Sequence, residues 1–95
     1  MLVSLKELVE DAHANKYAIG AFNTSNLEVT QGIIGGAMDK QAPVIIQVSE
    51  TAIKYAGLKS ITAIVETVAK KEAVNIPVAL HLDHGRSFRA VAECI

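Results

Sequence analysis

The stretch IPVALHLDHG, residues 76–85, is an apolar run that leads directly into a cluster of histidine and aspartate. In α/β enzymes, polar residues at the carboxyl end of an apolar strand commonly carry the chemistry. Because side chains alternate along a strand, His81 and Asp83 are expected to share one face. His84 falls where the strand gives way to a loop, and Gly85 frees the backbone to turn there.

The cluster has a structural and a functional interpretation. A histidine paired with an aspartate can serve packing alone, but two histidines flanking an aspartate at a strand end favour function, because crowded ionisable groups are costly. An imidazole there suits a divalent transition metal, and a carboxylate suits proton transfer. The spacing matches neither a zinc finger nor the H-E-x-x-H motif.

The composition limits the chain to one small domain with an aliphatic core. The 95 residues are 51% hydrophobic and 4% aromatic, without tryptophan, and the mean hydropathy is +0.31. Valine, isoleucine, leucine and alanine must therefore fill the core, as they do in parallel sheets covered by helices.

The charge and the terminal segments indicate a soluble, cytoplasmic protein. Nine basic and ten acidic residues give a net charge of −1, which predicts neither nucleic-acid nor membrane binding. No signal peptide or membrane-length apolar run is present. Cys94 has no second cysteine to pair with, as expected in a reducing compartment, and we interpret it as a small hydrophobic residue buried on a helix.

Apolar periodicity predicts one helix followed by three strand–helix units. The strands are expected at residues 17–22, 44–48 and 77–83, and helix caps at Ser4, Ser25, Ser60 and Ser87. Residues 50–59 are interpreted as a longer connection, free to move and to fold over a ligand. Three glycines at positions 32, 35 and 36 fall inside the second helix, where we expect close packing against a neighbouring element rather than a phosphate loop.

Each predicted strand ends in a polar residue: Asn23, Ser49 and Asp83. Parallel strands would bring these residues to one rim, which is typical of the mouth of a (β/α)8 TIM barrel, and a doubly wound sheet is the alternative. Three βα units cannot close a barrel of eight. We therefore expect residues 1–95 to be the N-terminal helix and first three βα units of one longer TIM-barrel domain.

The whole chain resembles the N-terminal third of the class II, metal-dependent fructose-1,6-bisphosphate aldolases. The resemblance is carried by the stretches YAIGAFN (17–23), NLE (26–28), APVIIQVS (42–49) and VALHLDHG (78–85), which occur in the family order and spacing. The last stretch is the most specific, and the others are informative together.

This resemblance implies an enzyme of glycolysis, a zinc-dependent lyase that reversibly cleaves fructose 1,6-bisphosphate to dihydroxyacetone phosphate and glyceraldehyde 3-phosphate. Zinc would serve as a Lewis acid, and the family also leaves room for a second divalent or a monovalent cation. The partners would be the sugar bisphosphate and the triose phosphates, without nucleic acid or membrane. The parent enzyme is expected to be a homo-oligomer, either a homodimer or a tetramer.

The resemblance also implies roles for individual residues. Asp83 matches the family's catalytic proton donor, which takes the proton back in cleavage. His84 matches a zinc ligand, and His81 is interpreted as a support of the metal site that does not bind the metal itself. Ser49 matches a residue that contacts the glyceraldehyde 3-phosphate portion of the substrate, and Asn23 an asparagine near the substrate.

Two alternatives stay open, and the isolated chain is expected to be inactive. The family's other zinc ligands and its phosphate-binding loops have no counterpart in residues 1–95, so we predict a poorly folded, inactive polypeptide. A tagatose-1,6-bisphosphate aldolase would act on a substrate that differs in configuration at one carbon. A non-catalytic fragment would instead act as an interaction or structural piece through its exposed strand edges.

Overall fold

A computed structural model describes the whole chain, residues 1–95, as an α/β fold with a parallel three-stranded sheet. The strands are β1 (Gly20–Asn23), β2 (Val44–Ser49) and β3 (Val78–Asp83). The helices are α1 (Leu5–Asn15), α2 (Leu27–Lys40), α3 (Glu50–Ala56), α4 (Leu58–Glu72) and α5 (Phe88–Cys94). The predicted fold class is confirmed, and the arrangement is consistent with the first part of a TIM barrel. No helix has the length and apolar character needed to cross a membrane.

The strand order β1-β2-β3 follows the chain, and the register is continuous across the sheet. Gly20, Val44 and Val78 are aligned at the amino end, and each strand runs toward the same rim from there. Parallel strands need a crossover connection, which α2 supplies between β1 and β2 and the α3–α4 pair supplies between β2 and β3. All three strands therefore present their carboxyl ends on one side of the molecule.

The main hydrophobic core lies between one face of the sheet and helices α2 and α4. Its ten buried members are Ile34, Ala37, Val44, Ile46, Val65, Val68, Ala69, Ala73, Ile76 and Val78. On α4 the buried residues recur three or four positions apart, which is the period of one helical face. This face of β2 and β3 is apolar along its length, so the polar groups of the strands are left to the opposite face.

Helix α1 covers only the amino-terminal part of that opposite face. Leu8 of α1 packs against Ile45 and Ala79, which lie side by side on β2 and β3. Beyond these two residues, toward the carboxyl rim, the same face continues as Gln47 and His81 and has no helix over it. A polar surface is thus left open at the carboxyl ends of the strands.

The caps of α1 and α5 agree with prediction, but those of α2 and α4 do not. Ser4 and Ser87 accept hydrogen bonds from the expected first-turn amides, of Glu7 and Ala90. Helix α2 is capped by Asn26 rather than Ser25, because the Asn26 carboxamide oxygen accepts from Val29 N at 2.9 Å. Ser60 caps nothing: α4 begins two residues earlier, after Gly57, without a side-chain cap.

The prediction that residues 50–59 form a mobile connection is wrong, because most of this segment is helix α3. Ser49 Oγ accepts a hydrogen bond from Ala52 N at 3.1 Å, so the residue that ends β2 also starts the helix. Ala52 is buried with Val48 and Ile61, which fixes α3 against the sheet and α4. The segment after β2 is therefore a packed helix. The first strand is also shorter than predicted, starting at Gly20 rather than at residue 17.

Two interpretations of small residues need correction. A Cβ atom placed on Gly32, Gly35 or Gly36 would meet nothing within 4 Å, so close packing does not explain these glycines. Cys94 lies on a helix as expected but is exposed rather than buried. Helix α5 has no buried residue, and its Phe88 is 89% exposed.

Candidate active site

The polar residues that end the three strands meet at one rim. Ser49 and Asp83 are register partners on neighbouring strands, so their Cα atoms face each other across β2 and β3. Asn23 lies one row back, level with Gln47 and His81. The predicted common opening is therefore formed, and the five side chains lie on the face of the sheet that α1 leaves open.

Four of these side chains form a continuous chain of hydrogen bonds across all three strands. His81 Nδ1 lies 3.1 Å from Gln47 Oε1. Gln47 Nε2 donates to Asn23 Oδ1 at 3.0 Å, and Asn23 Nδ2 donates to Asp83 Oδ2 at 3.0 Å. The bonds run from β3 through β2 to β1 and return to β3 at the carboxylate.

The order of donors and acceptors along these hydrogen bonds is fixed, because a carboxylate can only accept hydrogen bonds. Asp83 must be reached by the NH₂ group of Asn23, which leaves the carbonyl oxygen of Asn23 to accept from the NH₂ group of Gln47. The carbonyl oxygen of Gln47 then requires a donor, so His81 carries its proton on Nδ1. The orientations of two amides and one imidazole are thus set by the acidic group at the end of the chain.

The backbone next to Asn23 is held in place by buried threonines. Thr24 donates its amide to Gln47 O at 3.0 Å, which extends the contact between β1 and β2 past the last strand residue. The hydroxyls of Thr24 and Thr30 lie 2.8 Å apart, and both side chains are almost fully buried. Both hydroxyl oxygens also lie within hydrogen-bond distance of Asn26 O, at 3.1 Å from Thr24 and 2.8 Å from Thr30. Each hydroxyl has one proton, so one donates to this carbonyl and the other donates either to it or to the neighbouring hydroxyl. The start of α2 is thereby tied to the end of β1.

Asp83 and His84 lie side by side at the open edge of the rim. His84 Nε2 is 3.7 Å from Asp83 Oδ2, and the two side chains are 72% and 23% exposed. His84 has a left-handed backbone with φ of 69°, which is unusual for a residue other than glycine. This conformation ends the strand and turns the imidazole toward the carboxylate of the preceding residue.

The residues of this chain can contribute to a metal site but cannot complete one. Nowhere do three or more side chains of histidine, cysteine, aspartate or glutamate converge. His84 offers an exposed imidazole, which is a suitable zinc ligand, and Asp83 is the only acidic group in contact with it. A catalytic zinc usually takes three protein ligands, so further ligands would have to come from outside these residues.

Two site residues escaped the sequence interpretation. Gln47 is not among the residues predicted for the site, yet it joins His81 to Asn23. A glutamine inside a run of buried β-branched residues was the available signal, because such a residue needs polar partners. Glu50 falls in the segment predicted to be a mobile connection, but its carboxylate accepts a hydrogen bond from Arg86 N in the turn after β3.

Comparison with known proteins decides the family. The sequence profile described as "Fructose-bisphosphate aldolase class-II" matches residues 3–95. The chain belongs to this family. The resemblance inferred from the sequence is therefore confirmed, and the general activity of the family is aldol cleavage or condensation.

Named relatives and solved structures agree with that assignment. The chain is 46% identical over 95 residues to a fructose-bisphosphate aldolase of Staphylococcus aureus, and 44% identical to a probable fructose-bisphosphate aldolase of Bacillus subtilis. Each match covers 99% of this chain and 33% of the relative.

The crystal structure of the YdjI aldolase from Escherichia coli K12 superposes with a TM-score of 0.86 at 31% identity, covering 98% of this chain and 36% of that one. A putative fructose-1,6-biphosphate aldolase from Coccidioides immitis gives 0.79 at 29% identity, covering 92% and 29%. The chain thus spans about a third of the length of the aldolases that it matches.

Proposed function

We propose that this chain forms the first part of a class II aldolase domain that reversibly cleaves fructose 1,6-bisphosphate to dihydroxyacetone phosphate and glyceraldehyde 3-phosphate in glycolysis. The single observation that carries the proposal is the hydrogen-bond chain that ends on Asp83 at the carboxyl rim of the sheet. It orients one carboxylate at the place where (β/α) enzymes bind substrates. The proposal includes a cytoplasmic location and a homo-oligomeric parent enzyme.

Asp83 is proposed to be the catalytic acid and base. Its Oδ2 accepts from Asn23, and its Oδ1 has no protein partner, which leaves that oxygen available to a substrate hydroxyl. In cleavage, Asp83 would accept the proton of the hydroxyl that becomes the aldehyde, and in condensation it would return this proton. Asn23 would keep the carboxylate oriented and lie beside the substrate.

Ser49 is proposed to contact the glyceraldehyde 3-phosphate portion of the substrate. Its oxygen already accepts from Ala52 N, but its hydroxyl proton is not used in any hydrogen bond within the protein. The hydroxyl can therefore donate to a substrate oxygen without uncapping α3. The position opposite Asp83 suits this role, because a substrate at the rim would lie within reach of both side chains.

His84 is proposed as the zinc ligand that this chain contributes. When bound, zinc would act as a Lewis acid on the ketone oxygen of the substrate. His81, whose Nδ1 proton is committed to Gln47, would support the site from behind rather than bind the ion. The remaining ligands, and any second divalent or monovalent cation, would be supplied by the other two thirds of the barrel.

The proposal is tested by a chimaera in which this chain replaces the matching third of the Staphylococcus aureus aldolase. We expect turnover of fructose 1,6-bisphosphate in an assay coupled to triose phosphate detection, loss of turnover on zinc chelation, and none from the 95-residue chain alone. Asp83→Asn should lower kcat by on the order of 10²–10⁴. Asp39→Asn, an exposed residue of α2, is the control. A folded, zinc-loaded chimaera without turnover contradicts the proposal.

The same assay addresses the tagatose alternative. Tagatose 1,6-bisphosphate is supplied to the same chimaera, and we expect a lower kcat/KM than for fructose 1,6-bisphosphate. One named bacterial relative is a fructose-bisphosphate aldolase and the other a probable fructose-bisphosphate aldolase, which supports this order. A higher kcat/KM for tagatose 1,6-bisphosphate would reverse the substrate assignment but keep the aldol chemistry.

A further inference from the structure

The turn that follows β3 has an unusual backbone. His84 and Gly85 have φ angles of 69° and 35°, so two consecutive residues are left-handed. Glycine adopts such angles freely, whereas a residue with a Cβ atom does so at a cost. His84 therefore needs contacts elsewhere that hold the turn in this shape.

One side of the turn is packed against α5 and β3. A Cβ atom on Gly85 would lie 3.1 Å from Cγ2 of Val91 and 3.5 Å from Cδ2 of Leu82. These neighbours restrict where the turn can go but form no directional bond with it. They do not by themselves determine the left-handed angle at His84.

The other side of the turn is tied by Glu50. A carboxylate oxygen of Glu50 accepts a hydrogen bond from the backbone amide of Arg86, the first residue after the left-handed pair. Glu50 is well placed to act as an anchor, because it is the first residue of α3 and follows directly on Ser49. Ser49 in turn faces Asp83 across the sheet.

We propose that Glu50 is a positioning residue that clamps the turn at residues 84–86, so that the His84 imidazole stays beside Asp83. The clamp connects the first turn of α3 to the backbone two residues beyond His84 and closes the rim between β2 and β3. Its importance for metal binding rests on the proposed function, whereas the clamp itself does not.

A purely helical role for Glu50 makes a different prediction. An acidic residue in the first turn of a helix is favourable with the helix dipole, and Glu28 occupies the first turn of α2 in the same way. If Glu50 did no more than this, its replacement would speed hydrogen exchange of the first amides of α3 and leave exchange of the Arg86 amide unchanged. Glu28→Ala is therefore the matched control.

The test compares backbone amide exchange by NMR in the chimaera with the Staphylococcus aureus aldolase, carrying this chain as wild type, Glu50→Ala, Glu50→Gln or Glu28→Ala. Loss of a hydrogen bond to a charged group should speed exchange of the Arg86 amide by roughly tenfold or more in Glu50→Ala. Glu50→Gln keeps an acceptor oxygen and should restore part of the protection. Glu28→Ala should leave Arg86 unchanged. Unaltered exchange of the Arg86 amide in Glu50→Ala overturns the proposal. An equal loss of Arg86 protection in all three variants overturns it as well.

A second readout uses the chimaera with the Staphylococcus aureus aldolase and measures zinc retention against a chelator. We expect Glu50→Ala to release zinc faster than wild type, with Glu50→Gln between them. Equal retention in all variants would refute the link from the clamp to the metal. An inactive chimaera would contradict the proposed function, yet the exchange of Arg86 would still decide whether the clamp exists.

Discussion

The side chains of Asn23 and Asp83 are joined by a 3.0 Å hydrogen bond, although they belong to the two outer strands and lie 60 positions apart in the chain. The bond spans the middle strand, and Gln47 of that strand holds the other end of the Asn23 amide. The surroundings of the proposed catalytic carboxylate therefore depend on residues from every strand. A substitution at any residue of this hydrogen-bond chain should therefore change the surroundings of the Asp83 carboxylate.

Asn23→Asp places a second carboxylate against Asp83 and removes the donor of this bond. We expect the free energy of unfolding at pH 7 to fall by about 0.5–1.5 kcal/mol, because a hydrogen bond is replaced by repulsion between like charges. Urea denaturation of the chimaera with the Staphylococcus aureus aldolase, followed by circular dichroism, measures the change. Asn75→Asp is the control, since Asn75 is exposed and makes no side-chain hydrogen bond. An equal effect at both positions would argue against a specific Asn23–Asp83 bond.

Replacement of Gln47 by methionine should change the tautomer of His81. In the wild-type chain the Gln47 carbonyl oxygen requires a proton on Nδ1 of His81. Methionine has a similar length but no strong acceptor, so this preference should be lost in Gln47→Met. The ¹⁵N chemical shifts of the two ring nitrogens distinguish the tautomers directly. His13 is the internal control, because it lies exposed on α1. A wild-type His81 protonated on Nε2 alone would contradict the direction assigned to the hydrogen-bond chain.

The strands and the rim were predictable from the sequence, whereas the contacts within the rim were not. Alternation along β3 places His81 and Asp83 on one face, and the polar residues that end the strands follow from the limits of the apolar runs. The link through Gln47 depends on the register between strands, which aligns Asn23, Gln47 and His81 and is set by packing over the whole sheet.

Helix boundaries show a second limit. Ser25 and Asn26 are both good caps, and the sequence does not decide which of them adopts the extended backbone. The structure selects Asn26 because Thr24 and Thr30 tie its carbonyl to the buried end of β1. Ser49 is not predictable as a cap for a related reason, since this one residue both ends β2 and caps α3.

Gly32→Ala should stabilise the chain. A Cβ atom at position 32 meets no other atom within 4 Å, and alanine is favoured over glycine inside a helix by about 1 kcal/mol. We expect the urea midpoint of the chimaera with the Staphylococcus aureus aldolase to rise with an unchanged slope. Gly57→Ala is the opposite control, because Gly57 has a φ of 93°, which a residue with a Cβ atom adopts only at a cost. A destabilised Gly32→Ala would indicate that this surface of α2 is covered in solution.

Cys94 should react slowly with alkylating reagents in the folded chain. Although Cys94 is exposed, neighbouring atoms partly shield its thiol from water, and this desolvation raises the pKa of the thiol. The negative charges of Glu93 and Glu50 raise the pKa further. Because the thiolate is the reactive form, iodoacetamide should modify the native chain more slowly at neutral pH than the urea-unfolded chain. A raised pKa keeps the thiol neutral in the folded state, so the difference should shrink as the pH rises through the folded pKa.

The charge contribution to this effect can be separated from burial. Glu93→Gln removes the adjacent negative charge and should speed alkylation of Cys94 in the folded chain. It also breaks the ion pair with Arg89, in which Nε of Arg89 lies 3.0 Å from the Glu93 carboxylate. Arg89→Gln therefore controls for loss of that pair and should slow alkylation, because the full negative charge of Glu93 remains without its cation. Equal rates for native and unfolded chains, or a faster reaction in Arg89→Gln than in Glu93→Gln, would contradict the electrostatic account.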